Sequence, residues 1–194
     1  MRLSGWEKLV RPCFDFLYDY GFTRATQLDR SDFWATSVVY ASARHAVRVT
    51  CSVEFSRVEV EIVRLHDGAF PEPIVFYDDA ASFDQTLLDN VVLARAPERV
   101  AQTQGRGLGK GELKTQLATW AMLLREVAAD FLAGADTVFD DAKGIVQRRV
   151  ERDAQQIVVW LPDNANRQEE ADAVSQARST APPHVDVVVR RYRR

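Results

Sequence analysis

The sequence predicts an α+β protein: an antiparallel β-meander packed against helices, with a C-terminal β-α-β unit. Three patterns predict it. Residues 46–65 alternate apolar and polar side chains in two runs, as antiparallel strands covered on one face do. Residues 111–151 repeat apolar side chains at helical spacing around Gly134. Residues 156–192 read strand, polar helix, strand with short links, the pattern of a parallel crossover.

The elements follow in order. Ser4 and Glu7 have capping-box spacing. They open a helix with Trp6, Leu9, Val10, Cys13, Leu17 and Tyr20 on one face. Pro12 should kink or split that helix, and Gly21 should end it. FWATSVVYAS (33–42) is β-branched and aromatic, and reads as a strand. In the next run Val47, Val49, Cys51, Val53 and Phe55 should point inward, with Arg48, Thr50, Ser52 and Glu54 outward. After Ser56-Arg57, Val58, Val60 and Ile62 point inward, and Glu59 and Glu61 outward. Three meander strands result. Ser82 and Gln85 are placed to cap a helix from about 83 to 95, stopped by Pro97.

From Gly111 or Glu112 to Ala133 the stripe Leu113, Leu117, Trp120, Leu124, Val127 and Phe131 makes a strong helix. A second runs over about 136–151, and the short Gly134-Ala135 link pairs the two antiparallel. QIVVWL (156–161) is a strand, Asp163 or Asn164 can cap the helix after it, and VDVVVRRY closes the chain. The expected organisation is a core domain over 1–151 with a flexible glycine-rich link at about 98–111. A strand–helix–strand appendage over 152–194 is expected to pack on the same domain.

Composition narrows the classes. A hydrophobic fraction of 46% and a charged fraction of 27% suit a globular chain, and the net charge of −3 gives no bulk attraction to nucleic acid. Two cysteines, Cys13 and Cys51, are too few for a disulfide scaffold and read as core side chains. The N-terminus lacks a signal-peptide pattern and no run is apolar enough to span a bilayer, so a cytoplasmic, non-membrane protein is expected.

Four of the nine glycines lie at Gly105, Gly107, Gly109 and Gly111, with Lys110 among them. A phosphate-binding P-loop needs a glycine at 104 and a hydroxyl at 111. Gln104 and Gly111 stand there, and no strand precedes. A looser anion site remains, with Arg106 and Lys110 beside the free amides of a helix start. Glu112-Leu113-Lys114 resembles a nuclease E-x-K triplet but opens a helix. His45, His66 and His184 lack zinc-ligand spacing, so no metal and no cofactor is expected. The tail Arg190, Arg191, Tyr192, Arg193, Arg194 carries four charges and an aromatic that would stack on a base.

A wider pattern joins Tyr20-Gly21-Phe22, SVVYAS (37–42), AVRVTCSVEF (46–55), RVEVEIVRL (57–65) and FLAGAD (131–136). It resembles small bacterial proteins of the immunity type, which sit beside polymorphic toxins and neutralise them by binding. The resemblance covers about residues 5–150 and implies no catalytic residue.

The expected function is therefore a non-catalytic protein-binding module that occludes a partner protein such as a toxin. Arg48, Glu54, Glu59 and Glu61 of the polar sheet face, with Asp78 and Asp79 beside Phe76-Tyr77, are the candidate contacts. One alternative is a phosphate- or nucleotide-binding protein using Arg106 and Lys110. A second is a nucleic-acid-associated protein using Arg190, Arg191, Tyr192 and Arg193.

Overall fold

The computed structural model describes residues 3–31, 33–53, 55–71, 84–154, 156–162, 166–180 and 186–192. It is α+β, with one mainly antiparallel sheet, its helices and a separate parallel strand pair. The chain divides into two compact units, Met1–Ile145 and Val146–Arg194.

In the first unit, helix α1 spans Leu3–Phe14 and gives way to a 3-10 turn over Asp15–Tyr20. Pro12 sits inside α1, so the expected split falls just after it, at Phe14. A proline N–H is missing there, which loosens the ladder without ending it at once. Gly21, at φ 77°, caps the turn by donating its N–H to Tyr18 O at 3.1 Å. Ser4 lies within α1, and Glu7 accepts from Arg24 Nε at 3.3 Å rather than completing a cap.

The sheet contains β1 (Thr23–Arg24), β2 (Arg30–Ser31), β3 (Ala35–Ala41), β4 (His45–Ser52), β5 (Arg57–Arg64) and β6 (Gln85–Leu87). Its order is β1-β3-β4-β5-β6, with β2 also on β3, and every pairing is antiparallel. The register sets Val38 opposite Val49 and Val49 opposite Val60, so Val38, Tyr40, Val47, Val49, Cys51, Val58, Val60 and Ile62 share one buried face.

Two expectations about these strands change. The expected strand over 33–42 begins only at Ala35, leaving Phe33 80% and Trp34 60% exposed. β4 stops at Ser52, so Val53 and Phe55 are exposed and do not continue the inward row. The cause is the β4–β5 turn: Phe55 N–H donates to Ser52 Oγ, Ser56 N–H to Val53 O, and Ser56 adopts φ 50°.

Helix α2 covers Leu88–Arg95. The helix expected from about 83 starts later, because Gln85–Leu87 pair with Val63–Glu61 as β6. The proposed cap residue Ser82 lies outside the described residues. A 3-10 turn over Pro97–Gln104 leads to the glycine loop, then to α3 (Lys110–Val127). Ala128 breaks the long helix expected to reach Ala133, and α4 (Ala129–Leu132) follows. Gly134, at φ 95°, turns the chain into α5 (Thr137–Ala154).

The helical stripe Leu113, Leu117, Trp120, Leu124, Val127, Phe131 is buried with Trp6, Val10, Phe14 and Leu17 against the inner sheet face. Each such side chain contributes about 1.5–3 kcal/mol by leaving water. The two core tryptophans also satisfy their polar edges. Trp6 Nε1 donates to Val49 O at 3.0 Å, and Trp120 Nε1 to Val58 O at 3.1 Å. A smaller cluster, Ala25, Val39, Ala46, Val63 and Leu65 with Phe70, covers part of the outer face.

Both sides of this sheet are closed by short elements. On β3, Val39 N–H donates to Asp29 Oδ1 at 2.9 Å, and Arg24 donates to Val39 O while gripping both Asp29 carboxylate oxygens. On β5, Val58 N–H donates to Gln116 Oε1 at 2.8 Å. Terminal strands β1, β2 and β6 hold only two or three residues each. Among the described residues, this sheet therefore offers a partner only short terminal strands.

In the second unit, β7 (Gln156–Pro162) and β8 (Asp186–Tyr192) pair in parallel, and α6 (Arg167–Thr180) packs on both. β7 has Pro162 as its last residue. Asn166 caps α6; Asp163 and Asn164, the expected cap residues, lie outside the described residues. Asn166 Oδ1 accepts from Gln168 N and Glu169 N, while Glu169 Oε2 accepts from Asn166 N at 2.8 Å.

Candidate functional site

The glycine loop packs tightly against the first two turns of α3. Gly109 N–H donates to the Glu112 carboxylate at 2.8 Å. A Cβ on Gly107 would lie 2.4 Å from Glu112 Cδ, and one on Gly105 2.8 Å from Gln116 Cγ. Gly107 also holds φ 103°, a conformation that favours glycine. Gln116 Nε2 donates to Gly107 O at 2.9 Å, and Gly107 N–H donates to Ser56 O at 2.7 Å. The loop is therefore tied to the helix on one side and to the β4–β5 turn on the other. Arg106 and Lys110 are exposed around it. The chain's own Glu112 carboxylate takes the Gly109 amide, where a bound anion would compete for it.

The polar sheet face is matched within itself. Arg48 Nη1 donates to Glu61 Oε2 at 2.8 Å, and the Arg48 guanidinium stacks on the Phe70 ring at 4.1 Å. Burial pushes the Glu61 carboxyl up from its usual range, although Arg48 pulls it down. Burial likewise lowers the Arg48 pKa against the pull of Glu61. Glu59 accepts two hydrogen bonds from Arg57, at 2.8 and 2.6 Å. All four side chains are half-buried. Glu54, Asp78 and Asp79 lie outside the described residues.

The turn end of the sheet differs. Phe33 and Trp34 meet edge to face with ring centroids 4.9 Å apart. Val53 N–H donates to Trp34 O at 2.8 Å, which brings the β4–β5 turn beside them. Phe55, 52% exposed, stands on that turn under the Arg57 guanidinium. Leu108 of the glycine loop is exposed nearby in the chain that binds Ser56. Exposed aromatics gathered at one end of a domain mark an interaction surface more often than scattered single ones do. Sequence reasoning placed Val53 and Phe55 in the core and missed this group; the polar break Ser56-Arg57 signalled a turn, but the turn already begins after Ser52.

At the opposite end, two His–Asp pairs are joined by one arginine. His45 Nε2 lies 2.7 Å from Asp136 Oδ1, and His66 Nε2 lies 2.8 Å from Asp84 Oδ2. Arg64 donates to Asp84 Oδ1 at 2.9 Å and sits 3.3 Å from Asp136 through Nε, an ion pair without hydrogen-bond alignment. Arg44 adds a third contact to Asp136 at 2.8 Å. Burial raises the Asp136 carboxyl pKa, but His45 and Arg64 outweigh it and hold the group below its ordinary value. His45 is buried against Phe131 and Phe139. The cluster closes the sheet end onto the α4–α5 turn. Among the described residues no group of three or more His, Cys, Asp or Glu is placed to hold a metal ion.

Cys51 is buried and Cys13 half-buried, both free, and burial raises both thiol pKa values. Arg190, Arg191 and Tyr192 occupy the end of β8, opposite Trp160, Leu161 and Pro162. Arg193 lies outside the described residues. No helix among the described residues is long and apolar enough to cross a membrane. No family model, curated protein or solved structure matches this chain.

Proposed function

We propose that the chain is a non-catalytic protein-binding module of the immunity or inhibitor kind, and that it occludes its partner with the turn end of the sheet. One observation carries this reading: Phe33, Trp34 and Phe55 stand exposed together where the β3 start meets the β4–β5 turn. Large rigid rings of this kind supply most of the energy at protein interfaces and lose little entropy on docking. The polar sheet face supports the reading less well, because its charges pair with one another and Phe70 covers Arg48. Among the described residues the sheet of the first unit ends in strands of two or three residues, which favours side-chain docking over strand addition there.

The test uses a photo-cross-linking amino acid at position 33 or at position 8, an exposed site on α1, in the cells that make the protein. A discrete protein adduct from position 33 that is absent from position 8 supports the reading. Phe33→Ser with Phe55→Ser should weaken binding to the captured protein by ~30-fold or more, corresponding to about 2 kcal/mol at an interface hot spot. No protein adduct, or the same adduct from both positions, sinks it.

A further inference from the structure

We propose that the glycine loop is a clamp that preorganises the docking surface, with Gly107 and Gln116 as its positioning residues. The inference rests on the reading of the aromatic end as that surface. It starts from the backbone of the β4–β5 turn. Phe55, the ring on this turn, is followed by Ser56 at φ 50°. A residue other than glycine keeps that left-handed conformation only where its surroundings hold it. The bonds within the turn are long: 3.3 Å from Phe55 N–H to Ser52 Oγ and 3.2 Å from Ser56 N–H to Val53 O. Shorter ones enter it from other segments. Val53 N–H donates to Trp34 O at 2.8 Å, and Gly107 N–H donates to Ser56 O at 2.7 Å. The second grips the left-handed residue itself.

The loop needs its glycines to make this contact. Gly107 holds φ 103°, and the Glu112 carboxylate fills the place its Cβ would take. Gln116 Cγ does the same at Gly105. Gln116 is buried, with a task at each end of its amide. Its Oε1 accepts the Val58 N–H of β5, and its Nε2 donates to Gly107 O. Gly107 is thus held by α3 through its carbonyl and holds the turn through its amide. The run of glycines therefore serves close backbone approach without any phosphate. A ring fixed before docking spares the entropy of ordering it on binding. Where the turn adopts the docking conformation only part of the time, apparent affinity falls by that fraction.

The experiment has two readouts on the full chain: NMR order parameters of the free protein, and affinity for the protein captured from position 33. In Gly107→Ala the order parameters of Val53, Phe55 and Ser56 should fall from about 0.85 to below ~0.6. Those of Val38 and Val49, opposite each other in β3 and β4, should not change, which also reports that the variant is folded. Affinity of the folded variant should fall about tenfold, as for a turn that is competent roughly one tenth of the time. Gln116→Ala, which adds no side chain to the loop, should act in the same direction. Gly111→Ala, whose Cβ meets nothing within 4 Å, should change neither readout. In a Phe55→Ser background Gly107→Ala should cost little more, because the ring it positions is gone. A turn that stays rigid in both loop variants overturns the proposal, as does a Gly107→Ala effect that adds in full to Phe55→Ser. A captured protein whose binding responds to Phe33→Ser with Phe55→Ser, and to neither loop variant, overturns the clamp and leaves the surface standing. No adduct from position 33 overturns both.

Discussion

Gln116 accepts the Val58 N–H at 2.8 Å and donates to Gly107 O at 2.9 Å, so one buried amide joins the β5 edge to the glycine loop. Replacing it by Ala leaves a strand N–H and a loop carbonyl without their partner. The expected loss is about 1–3 kcal/mol, the cost of orphaned buried polar groups. Urea denaturation of Gln116→Ala measures it, and an unchanged midpoint would show that water serves both groups equally well.

The glycines of the loop are not equivalent. Gly107→Ala forces a Cβ into the Glu112 carboxylate and a side chain into φ 103°, and should destabilise by more than ~1 kcal/mol. Gly111→Ala meets nothing within 4 Å inside α3 and should stabilise by about 0.5–1 kcal/mol. Opposite signs in paired melting curves are the expected result.

Arg48 and Glu61 form a half-buried pair whose members are each penalised by burial. Arg48→Met leaves the Glu61 charge without its partner and should cost at least ~1 kcal/mol, less than the ~3–5 kcal/mol of breaking a fully buried pair. Adding Glu61→Gln should recover part of that loss. A double-mutant cycle reads the coupling directly, and simple additivity would count against the pairing.

Acid should unfold the protein through Asp130 and Asp136. Hydrogen bonds from Arg95, the largest cause, and from Thr137 hold Asp130 well below the usual carboxylate range. Asp136 is lowered too. A carboxyl with a depressed folded-state pKa stabilises the fold above its unfolded value of about 3.9, and that contribution is lost as pH falls through the folded-state value. Stability should therefore drop below about pH 4. Asp130→Asn should be less stable at neutral pH and show a flatter acid limb in pH-dependent denaturation.

Arg95 gathers Asp130, Asp141 and Val127 O around one planar guanidinium. Arg95→Lys cannot reproduce that fork and should lose nearly as much stability as Arg95→Ala. Near-wild-type stability of the lysine variant would mean that charge alone holds α2 to the α4–α5 turn.

Local pattern alone determined much of this molecule. The alternation over 46–52 and 57–64 and the 3.6-residue stripe from Leu113 to Phe131 specify strands and helices by their own periods. Those rows became the buried faces of β4, β5, α3 and α4. The parallel strand–helix–strand pattern was equally legible, because its two apolar strands and polar helix need no distant partner to be recognised. Tertiary structure decided the rest. Val53 and Phe55 continue an inward row in the sequence, yet a turn with Ser56 at φ 50° sends them outward beside Phe33 and Trp34. β6 belongs to a sheet only because Gln85–Leu87 meet Glu61–Val63. The spacing of Gly105, Gly107 and Gly109 suggested a loop able to receive a phosphate. Its geometry instead follows from Glu112 and Gln116, whose side chains fill the space that any larger residue would need. Period is a property of neighbours along the chain. Close approach between segments far apart in sequence is decided by packing, and the exposed aromatic end is its product.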